Sequence, residues 1–260
     1  MEYGLIDAVL KAGDILMEGL NYDLKAKYKG KADIVTEIDV KSEEFLKGEL
    51  NRIYKDYSII AEETENSLSK LKNSQKTIYI DPLDGTTNYF HRFPFFAISV
   101  ALYNGLLPEV GIVYNPYYKE LFYGESGKGA FFNGRKIEVN KRKDMNESLI
   151  VTGFSATAIN DSNGDSLIKI LKNVSLNSHG IRRVGSAALD LCYVAKGIFE
   201  GFYEKGLKPW DVAAGKIIVE EAGGKITDEA GGTHNFESTF IIASNNCVHQ
   251  RLLEIINYKV

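Results

Sequence analysis

Two carboxylates stand close together just after a strand-like apolar segment. Asp81 and Asp84 follow residues 77–80, and the proline between them stiffens the chain, so both side chains can point into one crevice at the end of a strand. The alternative is a turn in which the two aspartates only cap backbone N–H groups. The pair alone does not decide between these interpretations.

Three further acids occur at the ends of predicted elements. Glu62 and Glu63 end the strand-like residues 58–61, and Asp211 opens a helical segment. Each has an ordinary interpretation, which is a solvated loop for the glutamates and a helix cap for the aspartate. If these acids converge with the first pair, the shared cavity is costly without a cation, because like charges repel. Carboxylate oxygens select Mg²⁺, Mn²⁺ or Ca²⁺ over softer metals.

A glycine–threonine turn directly follows the second aspartate. Backbone N–H groups at Gly85 and Thr86, where a helix opens, can hold a phosphate. Acids that bind a metal beside such N–H groups indicate metal-assisted phosphate chemistry. The sequence contains no GxxxxGK[ST] motif, so it does not indicate a P-loop NTPase.

Apolar periodicity predicts the elements that must position these residues. Residues 77–139 alternate short apolar runs with turn signals, which predicts an antiparallel meander. The C-terminal half alternates strand-like and helical segments. The predicted helices are residues 1–20, 40–54, 166–171, 185–196, 211–222 and the segment from 249 onward, and the other predicted strands are residues 33–36, 58–61, 149–153, 198–203 and 240–244.

Composition narrows the class of protein. The 260 residues suit one large domain or two packed lobes, and 44% hydrophobic residues are ordinary for a globular chain. The net charge of −4, without a basic cluster, argues against nucleic-acid binding. Two cysteines without a CxxC pattern and no visible signal peptide favour a cytoplasmic location. The longest apolar run, residues 93–103, is too short to span a membrane.

At these motifs the chain resembles the inositol monophosphatase family. Residues 81–88, DPLDGTTN, resemble the first family signature, and residues 210–215, WDVAAG, resemble the second. Residues 33–39 and 61–63 match two further family segments in the expected order. The resemblance runs from about residue 33 to the final helix, and four ordered motifs are far more specific than any one of them.

The resemblance implies a role for each matching position. The implied metal ligands are Glu62, Asp81, the carbonyl of Leu83, Asp84 and Asp211, with Glu63 contributing to a weaker third site through water. The implied catalytic positions are Asp39 and Thr86, which would orient the attacking water, supported by Thr36 and by Glu62. The implied phosphate and substrate contacts are Asp84, Gly85, Thr86, Gly185, Ser186, Ala187 and Glu204. For residues 185–187 the alternative is a simple helix start, and for Glu204 it is a surface acid.

The implied enzyme is a Mg²⁺-dependent phosphomonoesterase with two or three ions, Mn²⁺ being an alternative, and with sensitivity to lithium. Two cations about 3.5–4 Å apart would clamp the attacking and leaving oxygens of an in-line displacement. A covalent phospho-enzyme is not expected, since the sequence lacks a DxDx[TV] motif. The implied fold is α+β, a layered α-β-α-β-α sugar-phosphatase fold with two tightly packed lobes, residues 1–140 and 141–260, and the site between them.

The substrate has two alternatives within this family. Residues 87–95 resemble the inositol-phosphatase version and Glu204 suits a polyol, which favours inositol 1-phosphate. Arg182 and Arg183 precede Gly185 and could hold a second phosphate, as in a fructose-1,6-bisphosphatase or a dual-specificity enzyme. The alternative for these arginines is that one faces solvent and the other pairs with an acid or lies at a subunit interface.

Two statements about partners complete the sequence-based expectations. A non-catalytic interaction protein is disfavoured, because all the acids implied as metal ligands are present. The resemblance implies a homodimer, and the apolar residues 93–96 are expected to be exposed enough to contribute to it, the alternative being that they belong to the core. The expected ligand is a small phosphorylated polyol or sugar.

Overall fold

A computed structural model describes residues 2–24, 26–28, 34–64, 75–154 and 164–258. Within these ranges the helices are α1 (Tyr3–Gly19), α2 (Glu37–Ile53), α3 (Thr86–Phe90), α4 (Gly164–Leu176), α5 (Ala187–Ala195), α6 (Pro209–Glu221) and α7 (His249–Asn257). The strands are β1 (Ala26–Tyr28), β2 (Ile34–Thr36), β3 (Ser58–Ala61), β4 (Lys76–Asp84), β5 (Ala97–Asn104), β6 (Leu107–Asn115), β7 (Glu120–Glu125), β8 (Gly129–Phe132), β9 (Arg135–Ile137), β10 (Leu149–Thr152), β11 (Gly180–Arg182), β12 (Gly201–Lys205), β13 (Lys225–Thr227) and β14 (Phe240–Ser244).

The larger sheet contains seven strands in the order β3-β4-β5-β6-β7-β8-β9. Its first pair is parallel and the following pairs are antiparallel, which confirms the predicted meander. Side chains alternate along β5: Ile98 and Val100 pack on the side of α1 and α2, whereas Ala101 and Tyr103 pack on the opposite side. Both faces of this sheet are therefore covered.

The smaller sheet is mixed and contains five strands in the order β11-β10-β12-β14-β13. Helices α5 and α6 lie between the two sheets, and α4 and α7 cover the outer face of the smaller one. With α1 and α2 on the outer face of the larger sheet, the chain forms the layers α-β-α-β-α. This confirms the predicted fold class. The division into lobes at residues 140 and 141 stays a prediction.

Two predicted boundaries move for identifiable reasons. Helix α2 begins at Glu37 rather than near residue 40, because Thr36 and Asp39 form a capping box that apolar periodicity does not register. Strand β12 begins at Gly201 rather than at residue 198, where the half-exposed Ile198 follows the left-handed Gly197. The first of these shifts places Asp39 in the first turn of a helix.

The expectation that residues 93–96 are exposed is wrong for most of the segment. Phe93 is half-exposed, but Phe95 and Phe96 are buried. The ring of Phe96 packs edge-on against Tyr89, with 5.0 Å between the ring centroids. The segment belongs to the core because it connects α3 to β5 between packed layers. It gives no support to the homodimer, which stays a prediction from the family resemblance.

Among the described residues no helix is long and apolar enough to cross a membrane.

A buried histidine ties the last helix to the smaller sheet. His249 opens α7, with Nδ1 at 2.8 Å from Ser244 Oγ and Nε2 at 2.9 Å from Thr227 Oγ1. Burial, and then the charge of Lys225, lowers its pKa to about 4. The unfolded chain therefore binds a proton in a pH range where folded His249 stays neutral.

We expect this histidine to make the fold acid-sensitive. Because its folded pKa lies below its unfolded value, stability is complete above the unfolded pKa and is lost as pH falls from about 6.5 toward the folded value. The loss approaches about 1.4 kcal/mol per pH unit. Urea unfolding at pH 7 and pH 5.5 should show a smaller decrease for His249→Gln than for the wild type. Equal decreases in both proteins would contradict this assignment.

Candidate active site

A bulge at the end of β4 presents the aspartate pair. The pairing with β5 changes register between Asp81 and Asp84. Asp81 Oδ1 accepts a hydrogen bond from the backbone N–H of Leu83 at 3.0 Å, and the carbonyl of Pro82 accepts one from Ser42 at 3.1 Å. The two residues between the aspartates are thus held by one hydrogen bond to the Asp81 side chain and by another from Ser42 of α2.

Acids from three different elements lie close enough to interact electrostatically. Burial raises the pKa of Asp81 well above its usual range, and the charges of Glu62, Asp84 and Asp211 raise it further. Burial also raises the pKa of Asp211, and Glu62 is the next contributor. Within the described part of the chain, no three His, Cys, Asp or Glu side chains form a preformed group that could hold an ion. The acids therefore lie in one region, but among the described residues they do not form a ready-made ion-binding group.

Asp84 links the larger sheet to the start of α5. Its Oδ2 accepts hydrogen bonds from Ser186 Oγ at 2.6 Å and from the backbone N–H of Ala188 at 2.7 Å. Burial raises the pKa of Asp84 to about 6, and these hydrogen bonds oppose the rise. The predicted contact residues Ser186 and Ala187 therefore lie beside a predicted metal ligand.

Asp211 combines two functions at the start of α6. Its Oδ2 accepts a hydrogen bond from the backbone N–H of Lys208 at 2.7 Å, and Pro209 occupies the first turn. The helix begins at Pro209 with Lys208 as its N-cap, so the interpretation of Asp211 as the N-cap is wrong; Asp211 is the third helical residue and caps the backbone from there, as in a capping box. The cap also points this carboxylate toward the region of Glu62 and Asp81.

A hydrogen-bonded pair adjoins the acids. Thr86 Oγ1 lies 3.0 Å from Asp39 Oδ1 and 3.0 Å from the carbonyl oxygen of Leu83. The other oxygen of Asp39 accepts hydrogen bonds from the backbone N–H and the hydroxyl of Thr36. Burial raises the pKa of Asp39, and the hydrogen bonds from Thr36 and Thr86 oppose the rise. The predicted catalytic residues Thr36, Asp39 and Thr86 are therefore brought together.

Gly85 allows the chain to turn from β4 into α3. Its φ of +91° lies in the left-handed region, and a Cβ there would lie 3.0 Å from the carbonyl oxygen of Phe95 and 3.1 Å from that of Gly185. Asn88 secures the same junction, because its Nδ2 donates to the carbonyls of Phe95 at 2.7 Å and Val184 at 2.8 Å. The sequence motif contained Asn88 without indicating this function, which depends on a segment almost 100 residues away.

Glu204 and the buried Asp190, which the sequence motifs do not indicate, lie close enough to Asp84 and Arg183 to interact electrostatically. Burial, and then Asp84, raises the pKa of Glu204 to about 8, and Arg183 lowers it. Asp190 on α5 is buried and its Oδ1 has no hydrogen-bond partner in the described structure. A side chain at position 153 would collide with the Glu204 carboxylate, so Gly153 makes room for it. Neither Gly153 nor Asp190 stands in a local motif that could reveal its position.

The remaining predicted residues lie at the ends of two strands, one in each sheet. Glu62 and Glu63 lie in the 3₁₀ turn Glu62–Thr64, directly after β3. Arg183 follows β11, where its Nη2 donates to the carbonyl of Phe154 at 3.1 Å and its guanidinium lies over the Phe154 ring. Arg182 instead donates to the carbonyl of Ile181. Residue 33 of the predicted motif 33–39 lies outside the described residues.

Comparison with known proteins identifies the family. The model of the inositol monophosphatase family matches residues 1–259. The chain is 38% identical over 250 residues to the Aquifex aeolicus protein named fructose-1,6-bisphosphatase/inositol-1-monophosphatase, covering 95% of this chain and 92% of that protein. It is 40% identical over 242 residues to Nus factor SuhB of Vibrio cholerae, covering 92% of this chain and 89% of that one.

A solved structure gives the same result. The chain superposes on the Thermotoga maritima IMPase TM1415 with a TM-score of 0.87 and 34% identity, covering 97% of this chain and 94% of that one. Both the family model and the relatives extend over nearly the full length described above. The chain therefore belongs to the inositol monophosphatase family and is a phosphatase, a hydrolase enzyme.

Proposed function

We propose that this phosphatase depends on Mg²⁺ and hydrolyses inositol 1-phosphate and similar polyol phosphates. The observation that carries the proposal is the set of half-buried and buried carboxylates that repel one another around Asp81, next to the Asp39–Thr86 pair. Such a set is costly by itself, because each ionised group raises the electrostatic cost of the next. A bound cation would remove that cost.

The donor set fits a hard divalent cation. The side chains of Glu62, Asp81, Asp84 and Asp211 and the carbonyl of Leu83 would hold the ions, with Glu63 contributing to a third position. All of these donors are oxygen atoms, which suits Mg²⁺ or Mn²⁺. When bound, the ions supply Lewis-acid activation and neutralise charge on the phosphate. The number of ions stays a prediction.

The residues of the chain would supply the proton path. Thr86 has one hydroxyl proton, which it can donate to Asp39 Oδ1 while its lone pairs accept a hydrogen bond from water. Asp39 is held in place by Thr36, so the oxygen that faces Thr86 stays oriented. The pair would thus orient a water and accept its proton as the water attacks phosphorus. The backbone N–H groups of Gly85 and Thr86 would hold the phosphate.

The residues that would face the substrate favour a polyol phosphate, with fructose-1,6-bisphosphate as the alternative substrate. Glu204 and the start of α5, residues 185–187, would contact the substrate hydroxyls. Arg183 is the arginine whose charge affects Glu204 and Asp190, which supports a contact with a distal phosphate. The name of the Aquifex aeolicus relative supports fructose-1,6-bisphosphate as a second substrate. A non-catalytic function has less support, because the acids are retained.

Other expectations also belong to this proposal. Family resemblance is the basis for lithium inhibition and for a homodimer. A cytoplasmic location rests on the cysteine usage of the sequence. The net charge of −4 without a basic cluster supports small-molecule substrates over nucleic acid.

We expect activity to require a divalent cation and the Asp84 charge. Phosphate release from inositol 1-phosphate should cease after chelation and return when Mg²⁺ is added. Asp84→Asn keeps the volume and removes the charge, and kcat should fall roughly 10²-fold or more at saturating Mg²⁺. Asp56→Asn, at an exposed turn, is the matched control and should retain activity. Full activity of the chelated enzyme would contradict metal dependence.

Thr86→Val should separate proton transfer from packing. Valine has nearly the same shape but cannot hydrogen-bond to Asp39, so kcat should fall roughly 10²–10⁴-fold, as for the loss of general acid–base catalysis. The Mg²⁺ concentration for half-maximal activity should change little. Steady-state kinetics over a range of Mg²⁺ concentrations measures both values. A normal kcat in Thr86→Val would exclude the proposed proton path.

Arg183→Ala tests the second substrate, with Arg182→Ala as the matched control. An exposed charge-assisted contact belongs at the lower end of roughly 1.5–3 kcal/mol, or about tenfold in kcat/KM. We expect that loss for fructose-1,6-bisphosphate and a much smaller one for inositol 1-phosphate. Arg182→Ala should leave both substrates unchanged. Equal losses on the two substrates would mean that Arg183 stabilises the fold or contacts the phosphate that both substrates share. No loss on either substrate would mean that its side chain only faces solvent.

A further inference from the structure

Helix α2 carries a buried glutamate that none of the predicted roles includes. Glu43 is only 2% exposed. Its Oε2 accepts a hydrogen bond from the backbone N–H of Glu63 at 2.7 Å, and its Oε1 accepts one from Thr64 Oγ1 at 2.8 Å. Lys47 Nζ lies 3.6 Å from Oε1. A buried carboxylate is costly unless it is paired in this way, so the position is specific.

Glu43 belongs to a surface of α2 that contacts three parts of the site. Asp39 and Glu43 are four residues apart and therefore lie on one side of the helix. Asp39 binds Thr86, and Ser42 donates to the carbonyl of Pro82 between the two aspartates. Glu43 holds the turn Glu62–Thr64. One rigid helix thus sets the relative positions of three chain segments.

The turn Glu62–Thr64 needs this anchor, because the other acids of the site repel the negative charge of Glu62. The charge of Glu62 acts directly on Asp81 and Asp211, so repulsion tends to move the turn away from the other acids. Glu43 holds the backbone of the turn through Glu63 N–H, and Lys47 partly offsets the negative charge that Glu43 adds. The anchor acts on the backbone, so it leaves the function of each acid in the turn unchanged.

We propose that Glu43 is a positioning residue that holds Glu62 and Glu63 where a divalent cation can be bound. The inference deepens the proposed function and rests on it. Glu43 does not contact the substrate or the ion, and it acts through the turn. Its removal should therefore weaken cation binding more than it lowers the maximal rate.

The test compares Glu43→Gln with Glu44→Gln. Glu44 is the exposed neighbour on the same helix, so the control removes an equal charge without touching the turn. Binding of Mn²⁺ to chelated protein, followed by electron paramagnetic resonance, should weaken roughly tenfold or more for Glu43→Gln, as for partners that orient metal ligands elsewhere. The Mg²⁺ concentration for half-maximal activity should rise in parallel, with kcat at saturation little changed. Glu44→Gln should match the wild type.

A second variant keeps the inference testable if Glu43→Gln does not fold. Thr64→Val removes the hydrogen bond to Glu43 Oε1, together with the one that Thr64 accepts from Lys47, but keeps the bond from Glu63 N–H, and it should weaken Mn²⁺ binding in the same direction, by a smaller factor. Amide hydrogen exchange at Glu63 should become faster in both variants. Unchanged Mn²⁺ affinity in the folded variants, even with a lower melting temperature, would overturn the inference and leave Glu43 a purely structural role. Absence of Mn²⁺ binding in the wild type would instead overturn the proposed function.

Discussion

The repulsion among the carboxylates around the buried Asp81 is the constraint on which the rest of this structure depends. Asp81 is 2% exposed, and Glu62, Asp84 and Asp211 each raise its pKa. Burial removes water that would screen these charges, so each carboxylate raises the electrostatic cost of ionising the next. The surrounding layers must therefore hold these acids against their mutual repulsion.

Three acids of the site, Asp39, Asp84 and Asp211, are held by backbone partners. Asp84 accepts the N–H of Ala188, Asp211 accepts that of Lys208, and Asp39 accepts that of Thr36. Each bond also starts or caps a helix, so the same contacts that fix the site define where α2, α5 and α6 begin. Stability of the helix starts and geometry of the site are therefore not independent. We expect substitutions at these acids to alter both.

The sequence predicted the features that depend on local order and missed those that depend on distant contacts. Asp81, Asp84 and Asp211 could be found because strand ends and helix starts are visible in apolar periodicity and turn residues. The burial of Phe95 and Phe96 depends on layers formed by other segments. Gly153 and Asn88 act on residues far away in the chain, and Glu43 resembles any other acid on an amphipathic helix. A single sequence contains no local signal for such positions.

Unfolding of Asp81→Asn with and without Mg²⁺ tests the central claim most directly. Asparagine keeps the volume and the oxygen that accepts Leu83 N–H, and it removes the charge that the other acids repel. In chelator we expect the variant to unfold at a higher denaturant concentration than the wild type. In Mg²⁺ we expect the wild type to gain stability and the variant to gain much less, since ligand binding stabilises only the form that binds. A variant that is less stable than the wild type in chelator, or that gains equally from Mg²⁺, would contradict the claim.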